Sequence, residues 1–227
     1  MSTGLGGEVM WLCPSLDDSP NDLSGNGNNG TYENGISTVA DSDPTYGGSR
    51  AYSFDGANDY ISNSSLDLRN LPAMSWSAWI YDTKSTSPIS AMFSFGKSGT
   101  SSYPDDIHFF QKGSVEVQLN NGQDGSAFSL NSSWKNSWHH FAVVFDGAGS
   151  GNSGRLRLFV DGLPEGMTYA YTVPATTSAI SPFETFIGAY TGLPSVSYFQ
   201  GRQDDVRVYN RAITQSEITL LASTRGF

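Results

Sequence analysis

A period of two in the placement of apolar residues constrains this chain more than anything else in it. In "SVEVQLN", Val115, Val117 and Leu119 share one side while Ser114, Glu116 and Gln118 share the other; in "RLRLFVDG", Leu156, Leu158 and Val160 oppose Arg155 and Arg157. Successive side chains of a strand point to opposite faces, so these segments predict half-buried antiparallel strands. "MSWSAWIY", "AMFSF", "DIHFFQ" and "WHHFAVVFD" are apolar on both sides, as strands in the middle of a two-sheet sandwich are. Between the runs lie turn clusters such as "NNGQDG", "VDGLPEG" and "DGAGSGNSG", the last expected as a mobile hairpin loop. A helix is predicted only at the C-terminus, in "ITQSEITLLASTRG". There Thr214 and Glu217 have capping-box spacing, and Ile213, Ile218 and Leu221 can face inward.

The chain has 227 residues and shows no internal repeat, charge block or break in composition, so a single domain over residues 1–227 is expected. Twelve Lys and Arg against 22 Asp and Glu give a formal charge of −10, which disfavours nucleic acid and anionic membrane surfaces. Its one cysteine, Cys13, excludes an internal disulfide and a cysteine metal cluster; it reads as a small core residue beside Trp11. No segment is apolar for long enough to be inserted in a membrane. The start "MSTGLGGEVMWL" lacks the pattern of a signal peptide, which points either to a trimmed N-terminus or to release by lysis or by a non-classical route. Sequons at Asn29, Asn63 and Asn131 matter only for a secretory eukaryotic source.

One stretch invites a metal. "DLSGNGNNGTYE", residues 22–33, matches the spacing of an EF-hand loop, but Pro14 and Pro20 before it and the Gly, Pro, Asp and Ser after it exclude the flanking helices. An Asn-rich and Gly-rich loop remains, either an ion site or a turn with Asp22 as its cap. Glu33 is expected to leave on a strand.

Several fragments occur in an ordered series: "NDLSGNGNNGT", "AYSFDGANDYI", "MSWSAWI", "WHHFAVVFD", "LRLFVDG", "FIG" and "FQGRQDDVRVYNRAITQSEITLL". From about Val9 to Leu221 this series resembles the laminin-G-like jelly roll of the concanavalin A-like lectin and glucanase superfamily. The resemblance implies an all-β, two-sheet antiparallel jelly-roll sandwich with one short C-terminal helix and with its first and last strands paired. That pairing brings the Asp22 loop towards Asp205, and Trp11, Trp76 and Trp138 align with core tryptophans. "FDGANDYI" reads as a hairpin between the buried anchors Phe54 and Tyr60, and Trp134 as less typical and exposed.

The superfamily includes glycosidases, which carry paired carboxylates on one strand as E-x-D-x-E or a close variant. No such run is present, and the adjacent pairs Asp105/Asp106 and Asp204/Asp205 would point to opposite faces of strands. There is no G-x-S-x-G elbow, and the neighbours His139 and His140 fall on opposite faces, one in the core and one at the surface; His108 reads as packed. The remaining expectation is a non-catalytic carbohydrate-recognition or adhesion module for a glycan or glycoconjugate, with Tyr46, Tyr103, Tyr190 and Tyr198 as ligand-binding candidates. A structural calcium ion is expected on Asp22, Asn26, Asn28 and Asp205, since calcium takes roughly six to eight oxygens. The alternative is a structural or decoration protein displayed on a bacteriophage particle or other large assembly. Either reading places the protein outside the cell or on a virion surface.

Overall fold

The computed structural model describes residues 5–40, 49–84, 90–96, 107–112, 114–119, 124–129, 134–179, 183–190 and 197–225. The strands are β1 (Glu8–Leu12), β2 (Thr31–Glu33), β3 (Ser37–Ala40), β4 (Arg50–Asp55), β5 (Tyr60–Asn63) and β6 (Ala73–Asp82). They continue with β7 (Ser90–Gly96), β8 (Ile107–Lys112), β9 (Ser114–Leu119), β10 (Asp124–Ser129), β11 (Trp138–Asp146) and β12 (Leu156–Val160). The last are β13 (Leu163–Glu165), β14 (Met167–Tyr169), β15 (Glu184–Ile187), β16 (Ala189–Tyr190), β17 (Ser197–Tyr198) and β18 (Gln200–Tyr209); the helices are α1 (Gly151–Arg155) and α2 (Gln215–Ser223).

Two antiparallel sheets face each other. The first runs β13-β12-β11-β6-β18-β4-β3 with β1 also on β18, and the second runs β14-β10-β9-β8-β7-β15-β5-β2. The doubly apolar strands β6, β7, β8 and β11 are internal, as their composition requires. First and last strands pair, with Trp11 opposite Arg207 and Leu12 opposite Val206. Residues alternating inward from both sheets, among them Met10, Leu12, Trp76, Phe93, Val117, Phe141, Ile187 and Val206, form the main core.

A second apolar layer lies outside the first sheet, where Ala142, Val144, Phe159 and Tyr209 meet Ile213, Ile218 and Leu221. The predicted capping box holds α2 there: Glu217 N–H donates to the Thr214 hydroxyl, and Thr214 N–H donates to Glu217 Oε2. Arg211 ties the same carboxylate down with bonds of 3.1 and 2.7 Å.

Four expectations change. The segment from Phe54 to Tyr60 is no hairpin, because β4 belongs to the first sheet and β5 to the second; it crosses between layers. "DGAGSGNSG" contains the short helix α1 and is pinned by Asn152, whose side chain donates to Tyr171 O and accepts from Val173 N–H. Trp134 is buried, its ring edge-on to Phe141 at 5.6 Å. Asp204 and Asp205 do not point to opposite faces. Between Asp204 opposite Trp79 and Arg207 opposite Ser77, β18 carries one residue more than β6. Asp205 absorbs it at φ 50°, a left-handed conformation that Asp tolerates, and both carboxylates emerge on the outer side.

Candidate functional site

The outer face of the first sheet is closed by its own side chains. Asp205 Oδ1 accepts from Trp11 Nε1 at 2.6 Å and from Arg207 Nε at 2.9 Å, and Arg207 also reaches Glu8 at 3.2 Å while lying 4.2 Å over the Trp11 ring. Asp204 accepts from Arg225 Nε at 3.3 Å, and that guanidinium stacks 3.7 Å over Trp138. All five charged groups are buried. Burial drives the Asp204 carboxyl far above the usual range, helped by the neighbouring Asp205 charge; burial also raises Asp205, against the pull of Arg207.

That network decides where the expected calcium ligands lie. Asp22 Oδ1 accepts from Trp11 N–H and Ser24 N–H, both at 2.9 Å, and Oδ2 accepts from the Ser24 hydroxyl and Asn28 N–H, both at 2.9 Å. Asn26 and Asn28 turn their amide nitrogens onto the Glu8 and Val9 carbonyls. These three residues therefore share one hydrogen-bonded loop against β1. Asp205 stands at the indole end of Trp11 and is committed to Arg207, so the structure does not gather the four into one cage. Among the described residues, no group of three or more His, Cys, Asp or Glu could hold a metal ion.

The histidines divide as expected. His140 is buried against Trp79, and burial pushes its pKa down to about 3. His139 accepts or donates at both nitrogens, Nε2 to Ser137 Oγ at 2.8 Å and Nδ1 to Asp161 Oδ2 at 2.7 Å. This chain has the connectivity of a catalytic triad, but Ser137 is exposed and the Asp161 side chain is 49% exposed. Asp161 Oδ1 also accepts from His140 N–H. The arrangement holds the start of β11 to the turn before β13, and both Ser137 and Asp161 are open to water. His108 has its backbone in β8.

Of the predicted tyrosines, Tyr46 and Tyr103 lie outside the described residues. Tyr190 is buried at 4% exposure and offers a ligand nothing, whereas Tyr198 is half-buried at the surface. Its partner is a residue that sequence reasoning had assigned to the core. On β5 and β15, Ile61 and Ile187 point inward, so alternation turns Tyr60, Ser62, Glu184 and Phe186 outward. On β2, Tyr32 packs on the core and Glu33 faces outward beside Tyr60.

Tyr198 arrives over these residues through a small hairpin. Gly188, at φ +84°, ends β15 where a Cβ would stand 2.3 Å from Phe54, and the chain turns out into β16. Ala189 pairs with Tyr198, and Ser94 Oγ donates to Ala189 O at 2.9 Å, which fastens the hairpin to β7. The Tyr60 and Tyr198 rings stack at 6.3 Å with 23° between planes, and Phe186 meets Tyr60 edge-on at 5.8 Å. Glu33 Oε1 accepts from Ser62 Oγ at 2.8 Å. Burial, then the charge of Glu33, raises the Glu184 carboxyl; burial, then Glu33, Tyr198 and Glu184, raises the Tyr60 phenol.

Two stacked, half-exposed phenol rings floored by a phenylalanine and flanked by carboxylates form an aromatic platform with hydrogen-bond acceptors at its rim. Such a surface can stack against the apolar face of a ring and accept hydrogen bonds from hydroxyl or amine groups.

Comparison with known proteins places this chain in a family. No curated protein matches the chain. Among solved structures it resembles domain 4 of AbnA, a GH43 extracellular arabinanase from Geobacillus stearothermophilus, in complex with arabinotriose: 16% identity over 95% of this chain and 98% of that one, TM-score 0.66. It also resembles the botulinum neurotoxin serotype D ligand binding domain in complex with N-acetylneuraminic acid, at 12% identity, 95% and 50% coverage and TM-score 0.61. A third likeness is the binding domain of Paraclostridial Mosquitocidal Protein 1, at 13% identity, 95% and 52% coverage and TM-score 0.60. The chain spans about half the length of the toxin domains, and at these identities the likeness concerns the fold. The Laminin_G_3 family model, described as concanavalin A-like lectin/glucanases superfamily, matches residues 55–219, from the end of β4 into α2, and the chain belongs to that family.

Proposed function

We propose that this chain is a non-catalytic carbohydrate-recognition module that binds glycan on the outward face of the second sheet. The stacked pair Tyr60 and Tyr198 carries the reading. With the first sheet's outer face filled by the Arg207 and Arg225 networks and by α2, this aromatic surface stands open where the other face is closed. Solved relatives of the fold in complex with arabinotriose and with N-acetylneuraminic acid support a sugar as the ligand class. The carboxylates serve as acceptors: Glu33 and Glu184 lie on β2 and β15, with β5 between them, instead of alternating along one strand.

A glycan array followed by calorimetry tests this reading. Tyr60→Ala or Tyr198→Ala should weaken the best ligand by roughly tenfold, equivalent to about 1.4 kcal/mol. Tyr171→Ala, at an exposed tyrosine elsewhere, should not. An array on which no glycan binds, or equal binding by all three variants, removes the platform.

Calcium is a separate part of the proposal, supported by the oxygen density of Asp22, Asn26 and Asn28 on one loop. An ion seated there displaces the Ser24 and Asn28 donors now on Asp22. At about 100 times its dissociation constant it adds about 2.7 kcal/mol, a melting shift of roughly 5 to 11 °C. Coincident melting curves in calcium and in EDTA leave the loop as a turn.

A further inference from the structure

The platform has a sign as well as a shape. Glu33 and Glu184 form no ion pair with any described residue, and each is half-exposed beside the tyrosine stack. Among the described residues, the charged groups acting on the Tyr60 phenol are Glu33, Tyr198 and Glu184, and the one acting on Glu184 is Glu33. The Lys84 ammonium donates to the Tyr198 carbonyl at 2.6 Å, and its charge is coupled to those of Asp82 and Lys135. Arg69 lies 4.4 Å from the Phe183 ring and is held by both oxygens of Asp67. An aromatic stack flanked by two carboxylates that pair with no described cation attracts an ammonium, through the ring faces and through charge-assisted hydrogen bonds. The same stack repels a carboxylate or sulfate.

We infer that this surface, read as the glycan platform above, selects sugars bearing a free amine over neutral ones and rejects acidic sugars, with Tyr60 and Tyr198 as the stacking surface and Glu33 and Glu184 as the selecting groups. A 2-amino-2-deoxy glycan presents both features that the site answers: an apolar ring face and a cationic substituent at the ring edge. N-acetylation removes the charge and leaves the ring, so one oligosaccharide in two forms isolates the effect. The overall charge of −10 attracts any cation, and a control must separate that background from the site.

The experiment is calorimetry with three probes at pH 6: chitosan hexasaccharide, its fully N-acetylated form, and sialyllactose. The wild-type protein should bind the free-amine hexasaccharide at least about fivefold more tightly than the N-acetylated one, as expected for two partly exposed ion pairs, and should not bind sialyllactose. In Glu33→Gln/Glu184→Gln the two hexasaccharides should come within about twofold of each other, with binding of the neutral form retained. Asp146→Asn/Asp161→Asn removes the same charge at the end of β11 and in the β12–β13 turn, on the first sheet, and should keep the preference. Melting curves establish that both double variants are folded. Equal or tighter binding of the N-acetylated form, a preference that survives Glu33→Gln/Glu184→Gln, or one that disappears in the control variant overturns the selectivity while leaving the platform standing. Failure of all three probes to bind, or binding unchanged by Tyr60→Ala, overturns the platform itself.

Discussion

Replacing Arg207 by methionine is the most demanding test of the outer layer on the first sheet. The Arg207 guanidinium lies between two buried carboxylates, 2.9 Å from Asp205 and 3.2 Å from Glu8, with Trp11 across its face. Methionine fills much of the volume over the indole but leaves both acids facing a buried apolar surface. Removing one member of a buried ion pair costs about 3–5 kcal/mol, and at roughly 2–4 °C per kcal/mol for a domain of this size the melting temperature should fall by roughly 6 to 20 °C. The loss should depend on pH with a definite sign. In the wild type, burial raises the Asp205 carboxyl and Arg207 opposes that rise; without Arg207, burial and the Glu8 charge act together. A carboxyl whose folded pKa lies above its unfolded value is relieved by acid, so the difference between wild type and Arg207→Met should shrink from pH 7 to pH 4. Urea denaturation at both pH values, in a cycle with Asp205→Asn and the double variant, measures it. A cost under about 1 kcal/mol, far below the range for a broken buried pair, or one that stays constant with pH, would refute the claim that a buried ion pair holds β1 to β18.

The capping box of α2 yields a prediction with the opposite sign. Arg211 and the Thr214 N–H hold the Glu217 carboxyl down at about 2, so its stabilisation is present above the unfolded value near 4.5 and is lost as pH falls through 2. Because the pair is partly exposed, Glu217→Gln should cost about 1 kcal/mol at neutral pH and nothing near pH 2, while Glu217→Ala should cost about 2 kcal/mol at neutral pH by losing the cap as well. His140, neutral with its pKa near 3, should supply part of the acid limb of the stability profile. Between about pH 6.5 and 3 the unfolded chain takes a proton that the folded site refuses, so stability falls as pH falls. In His140→Leu that portion of the slope should flatten, and a stability–pH slope identical to that of the wild type over this range would show that His140 does not titrate in this way.

Whether a feature was legible in the sequence depended on whether it was local. The strands of β9 and β12 announce themselves because alternation is a property of consecutive residues, and the Thr214–Glu217 box because a helix N-terminus closes within one turn. The ordered fragments gave the sandwich and the pairing of β1 with β18. Residues at crossings between sheets were placed less well. Tyr60 follows a segment that crosses from one sheet to the other, so the buried-anchor reading taken from "FDGANDYI" faces it the wrong way, whereas Tyr190 sits among polar loop residues and yet turns into the core behind Gly188. The Asp204–Asp205 pair escaped a strict period of two because an extra residue in β18 shifts the phase, and the only signal for it is Asp at a position that takes positive φ. The platform has no contiguous signature at all, since Glu33, Tyr60, Glu184 and Tyr198 come from four separate segments that meet only after β2, β5 and β15 align and the β16–β17 hairpin folds out over them. The network under Trp11 and the platform under Tyr198 are therefore coupled through the topology: β18 begins two residues after Tyr198 and carries Asp205 and Arg207 further along the same strand. The charge network that seals one sheet face also fixes the strand from which the hairpin of the other face springs, so Arg207→Met, which loosens β18 against β1, provides a measure of how far sugar binding at the second sheet depends on the packing of the first.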